Sequence, residues 1–123
     1  MLKCRFTKLL AVTLLLNFVS VQGHSEVSHI VFVWAKDNTS KENIAVMINR
    51  AEMLLKIAGV NSMKVGTAVP SERSTVDDSY DVGITLSFDT VDVMQAYLEH
   101  PEHVKYVSTY VKPYAEKLRI YDI

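Results

Sequence analysis

The sequence predicts an α+β domain in which a four-stranded antiparallel sheet carries helices on one face. Three observations predict it: alternating polarity over Tyr80–Phe88, a long amphipathic helix that stops at Gly59, and elements that succeed one another as β-α-β-β-α-β, with one extra helical segment before the last strand.

The first residues stand apart from that pattern. Residues 1–23 carry Lys3, Arg5 and Lys8, no acidic residue, and an apolar run from Leu9 to Val19. This is the layout of a secretory signal, with Val21 and Gly23 as small residues before a cut after Gly23 or Ser25. The run is too short for a membrane span, which needs about 20 apolar residues. Cys4, the only cysteine, leaves with the leader, so neither a disulfide framework nor a thiol nucleophile is expected. The expected mature protein is secreted or periplasmic, with a disordered new N-terminus at residues 24–26, which includes His24, and one domain over residues 27–123. Of the 13 basic residues in the chain three go with the leader, leaving ten against 14 acidic ones, a formal charge of −4. That balance excludes a nucleic-acid binder, which needs a basic face, and no basic amphipathic helix remains for a membrane surface.

Val27–Ala35 is a nearly unbroken β-branched and aromatic run, expected as a strand covered on both faces, with His29, Val31, Val33 and Ala35 on one side and Ile30, Phe32 and Trp34 on the other. Lys36-Asp37-Asn38 turns the chain, and Thr39 with Glu42 forms a capping box. Ile44, Met47, Ile48, Ala51, Leu54, Leu55 and Ala58 then recur at helical steps until Gly59, a residue that accepts the left-handed backbone past a helix end. Met63–Val69 reads as a weak strand and Pro70–Ser79 as a polar, mobile loop. Tyr80, Val82, Ile84, Leu86 and Phe88 share one face of the next strand. Asp89 or Thr90 caps a helix over Val91–Glu99, with Val91, Met94, Tyr97 and Leu98 inward. Pro101 breaks it at His100 and starts a third helix, whose stripe is His103, Val107, Tyr110, Val111 and Tyr114. Pro113 disturbs its end, and Leu118–Ile123 closes the chain as a strand. Helices on one face of such a ferredoxin-like sheet leave the other face open, so Phe32 with Trp34, or Val31 with Val33, needs a partner. A two-fold homodimer through the sheet supplies one.

The opening strand Ser28–Val33, the helix exit Ile57-Ala58-Gly59-Val60, the strand Ser79–Phe88 and above all Val93–Val104, with its Tyr-x-x-His-Pro-x-His string, resemble the stress-responsive α/β barrel (Dabb) domain family over residues 27–123. The resemblance implies a homodimer whose two sheets meet as a barrel, and a role connected with stress or the cell envelope. It also implies positions for chemistry. In the family's plant polyketide cyclase, an aldol cyclase, the base histidine and its tyrosine partner fall on His103 and Tyr97, and the histidine of the first strand falls on His29. A further histidine of that enzyme is replaced here by Val82.

These three residues admit two readings. A neutral imidazole takes a proton beside a carbonyl and a phenol stabilises the enolate oxygen that results, so His103 as base, Tyr97 as donor and His29 beside them make a candidate catalytic set. The plainer reading has His100 capping a helix, His103 bonded within the first turn, and Tyr97 packed in the core. His29, His100 and His103 also offer three nitrogens to a metal, without an acidic ligand at convincing spacing. Tyr106, Tyr110, Tyr114 and Tyr121 line either a pocket or the core and interface. The leading expectation is a small, partly apolar ligand held between sheet and helices with no cofactor. A cofactor-free lyase or cyclase, and a structural dimer without ligand, are the alternatives.

Overall fold

The computed structural model describes residues 26–123. The leader and its cleavage site therefore lie outside the described residues, as does His24. Strand β1 (Val27–Ala35) leads into helices α1 (Lys41–Arg50) and α2 (Glu52–Leu55), and strands β2 (Ser62–Gly66) and β3 (Val82–Phe88) follow. Helices α3 (Val91–Glu99) and α4 (Pro101–Tyr106), a π-helical turn (Val107–Val111) and strand β4 (Ala115–Asp122) complete the chain. The strands are ordered β2-β3-β1-β4 and every pair is antiparallel. This is the ferredoxin-like arrangement that the sequence predicts.

Capping chemistry explains the helix starts. Ser40, not Thr39, caps α1, its hydroxyl accepting from the Asn43 amide at 3.1 Å. Thr39 is occupied elsewhere, its own amide closing a turn on the Lys36 carbonyl and its hydroxyl directed at the Tyr114 carbonyl. Thr90 caps α3 through Val93, while Asp89 accepts from the Asn61 side chain at 2.7 Å. The long helix expected to run up to Gly59 is interrupted at Ala51, and Leu55 and Ala58, read as inward, are exposed. Val91 is likewise turned to solvent.

Gly59 has φ +93°, and a Cβ built there would overlap Cγ1 of Val93. The left-handed backbone alone costs an L-residue roughly 1–2 kcal/mol. Gly59→Ala is therefore expected to destabilise the protein by at least that amount, measured as a lower midpoint in urea unfolding. An unchanged midpoint would show that this corner relaxes freely.

The core lies between the sheet and its helices. In register order, Val33, Val82, Ile84 and Leu86 present the sheet side, and Met47, Leu54, Met94 and Tyr97 meet them from the helices. Phe88 closes the core at the end of β3. The opposite face is divided. Ile30, Phe32 and Trp34 of β1 give it an apolar band, with the Phe32 ring 4.7 Å from Tyr80 and 6.4 Å from Tyr121. Neighbouring β3 and β2 place Gly83, Thr85, Ser87, Ser62 and Lys64 on that same side. The open face is aromatic over β1 and polar over β2 and β3, so β1 is flanked by apolar residues on both sides but its neighbours are not.

Candidate functional site

The site begins with a helix end. The last carbonyls of any helix lack intrahelical partners, and Pro101 has no amide to offer them. At the junction of α3 and α4, the Glu102 amide turns instead to Nδ1 of His100, which caps α4 at 3.1 Å. The Leu98 carbonyl is left to the ring of His103, whose Nδ1 lies 2.8 Å away. A carbonyl only accepts, so Nδ1 carries the proton and Nε2 the lone pair. The His-Pro break thus fixes the tautomer of His103.

A second histidine is fixed in the same way from the sheet. His29 is buried on the helix side of β1, and β4 places Asp122 directly opposite it. Their Nδ1 and Oδ1 atoms are 2.6 Å apart, the carboxylate accepting the ring N–H. The neighbouring backbone locks this register, because Ser28 and Ile123 exchange hydrogen bonds of 2.7 and 3.0 Å.

Between the two imidazoles stands Tyr97, almost wholly buried. Its ring centroid is 4.7 Å from that of His103, 5.0 Å from Phe88 and 6.2 Å edge-on from His29. All three candidate residues, His29, Tyr97 and His103, line one cavity of about 40 Å³. Its remaining wall is apolar except for Tyr106: Val31, Val33, Ile84 and Leu86 from the sheet, Leu54 and Val111 from the helical layer. No hydrogen bond among the described residues engages the Tyr97 hydroxyl or Nε2 of either histidine, and because no fully buried side-chain polar atom there lacks a partner, these three atoms are open to solvent.

Electrostatics suits these groups to proton transfer in opposite roles. Burial pulls the pKa of His103 below its ordinary 6.5; the bond to the Leu98 carbonyl opposes this in part, and the charge of His29 acts in the same direction as burial. At neutral pH the ring is an uncharged acceptor. Burial pushes the phenol of Tyr97 well above its ordinary 10, with Tyr106 adding to the effect, so it remains a donor.

His100 does not join the set, since its ring nitrogen is engaged at the α4 cap. The four tyrosines separate. Tyr106 lines the cavity, with its hydroxyl donating to the Met47 carbonyl at 2.8 Å. Tyr110 packs at 5.9 Å beside it, Tyr114 packs on the core margin, and Tyr121 lies on the outer sheet face. Asp122 is the functional residue that sequence reasoning missed. Its signal is present as a carboxylate alternating with Leu118 and Ile120, on the face that β4 turns toward His29.

A model of the stress responsive A/B barrel domain matches residues 27–123. No curated protein matches the chain. Among solved structures, a hydroxynitrile lyase from Passiflora edulis superposes with TM-score 0.71 at 22% identity, over 81% of this chain and 93% of that one. A dimeric protein of unknown function with a ferredoxin-like fold from Bacteroides fragilis gives 0.64 at 23%, over 80% and 94%. A Dabb family protein from Mesorhizobium loti, also ferredoxin-like, gives 0.65 at 21%, over 80% and 94%. At such identities the likeness is one of fold.

Proposed function

The chain belongs to the stress responsive A/B barrel domain family, and we propose that it acts as an exported homodimer that holds a small, partly apolar molecule in the cavity between its sheet and helices. One observation carries the binding reading: three polar side chains converge on an otherwise apolar cavity with their free atoms unpaired. Polar atoms left in this way within an apolar wall are complementary to a ligand that has an apolar body and one oxygen or nitrogen function. Pairing through the outer sheet face rests on the aromatic band of Phe32, Trp34, Tyr80 and Tyr121, which lines a surface groove of about 280 Å³. The dimeric relative from Bacteroides fragilis supports it. Export rests on the basic and apolar leader of residues 1–23.

Native mass spectrometry of the purified protein tests both halves. The expected result is a dimer carrying a small-molecule adduct, or accepting one on titration. Phe32→Glu, which puts a charge against Tyr80, is expected to give monomers at concentrations where the wild type is dimeric. A wild type that stays monomeric at high concentration overturns the pairing, and a dimer that never takes up a small molecule leaves a purely structural role.

A second reading, cofactor-free lyase or cyclase, is favoured by a separate observation. Each histidine is oriented through Nδ1 by a fixed partner, as a base needs to be, and a neutral phenol stands beside them. In that reading Nε2 of His103 takes a proton from a hydroxyl or from a carbon next to a carbonyl. The Tyr97 O–H donates a hydrogen bond to the oxygen where negative charge develops, and His29 holds the far side of the substrate. The hydroxynitrile lyase among the structural relatives supports this reading as a lyase on the same fold.

A further inference from the structure

We infer that Tyr106 and the π-helical turn that follows it set the size limit of the cavity, and restrict its ligand to a short-chain carbonyl compound of a few heavy atoms. The inference rests on the reading that the cavity takes a ligand, and goes beyond it by naming the ligand's size class and the residues that impose it.

Tyr106 and Val111 are five residues apart, which on an α-helix at 100° per residue puts them on well-separated faces. Yet both are buried, at 1% and 4% exposure, and both line the cavity. The wide turn accounts for this: the Lys112 amide reaches back five residues to the Val107 carbonyl at 2.8 Å, and the extra residue in the turn brings Val111 round to the side of Tyr106. Neither end is free to move. The Tyr106 hydroxyl is tied to the Met47 carbonyl of α1, and the Tyr114 carbonyl beyond the turn accepts from the Lys36 amide at 2.8 Å.

The aromatic ring of Tyr106 therefore stands as a fixed part of the cavity wall, and the space left is about 40 Å³. That is room for on the order of three water molecules. A carbonyl oxygen with one or two carbons on each side fits that space, whereas an aromatic ketone does not unless the wall moves. The Tyr97 hydroxyl, the donor among the free polar atoms, matches a carbonyl oxygen.

Two probes and two variants test this. Acetone and acetophenone are titrated into the full dimer while the ring resonances of His103 and His29 are followed by NMR. In the wild type, acetone is expected to move these resonances at concentrations about tenfold or more below those at which acetophenone does. Tyr106→Ala removes the ring and is expected to reverse that order. Tyr106→Phe keeps the ring, loses only the tie to Met47, and is expected to retain the wild-type preference, which supplies the comparison if the alanine variant folds poorly. Equal response of the wild type to both ketones, or an unchanged preference in folded Tyr106→Ala, overturns the size limit while ligand binding stands. Silence toward both probes in every variant overturns the binding reading itself.

Discussion

Replacing Phe88 by alanine will lower the stability of the protein by about 3–5 kcal/mol, the range for emptying a buried aromatic site. Phe88 has no exposed surface, and it ends β3 against the ring of Tyr97, 5.0 Å away at 49°. The loss combines the transfer of the ring to water with a void that α3 cannot collapse into, since Tyr97 is also held by His103 on its other side. Against a usual total of about 5–15 kcal/mol, such a loss consumes a fifth of the stability or more. Urea unfolding at fixed protein concentration reads it, concentration being held because a dimer's midpoint depends on it. Phe88→Leu is expected to fall in between. A loss below about 1 kcal/mol for the alanine variant would mean that this part of the core is loosely packed.

His103→Gln carries the largest functional effect. The side chain keeps a polar group near the Leu98 carbonyl but has no titratable nitrogen. Under the lyase reading, turnover should fall by about 10²–10⁴-fold, the usual contribution of a positioned general base. The pH dependence supplies a signature that packing alone does not imitate. Because the folded-state pKa of His103 lies below 6.5, the unfolded chain takes up a proton first as the solution is acidified. The wild type should therefore lose stability as the pH falls below about 6.5 and continue to do so until the folded pKa is passed. In the difference between wild type and His103→Gln, that acid-side loss should belong to the wild type alone. Any turnover should keep its base on the acid side of 6.5 as well. His103 titrating at or above 6.5 in the folded protein, followed by its ring resonances, would contradict the burial argument.

What the sequence made legible follows from how local each signal is. The strand Val82–Phe88 was readable because Val82, Ile84, Leu86 and Phe88 alternate into the core, although Ser87 is buried as well and Tyr80, read with that face, precedes the strand and packs on Phe32 of the outer face. The break at His100 was readable because Pro101 leaves the backbone few choices, and the consequence for His103 is equally local, a spare carbonyl five residues back. Ser40 displacing Thr39 at the α1 cap is a shift of one position between two residues able to do the job, decided by a contact with distant Tyr114. The interruption at Ala51 has no glycine or proline to announce it. The π-helical turn itself was not legible, because counting in threes and fours does not put Tyr106 and Val111, five positions apart, on one side. Asp122 needed the pairing of β1 with β4, a fact about strands 93 residues apart. The polar half of the outer face likewise emerged only when β2 and β3 were laid beside β1.

The carboxylate of Asp122 has a further implication. Its side chain is 43% exposed while that of His29 is 5% exposed, so one end of the pair meets solvent and the other reaches the interior. The final strand of a domain is ordinarily where trimming and tagging are tolerated. Here the loss of Asp122 strips a sunken imidazole of its anion, so a change at that margin becomes a perturbation of the protein's interior chemistry.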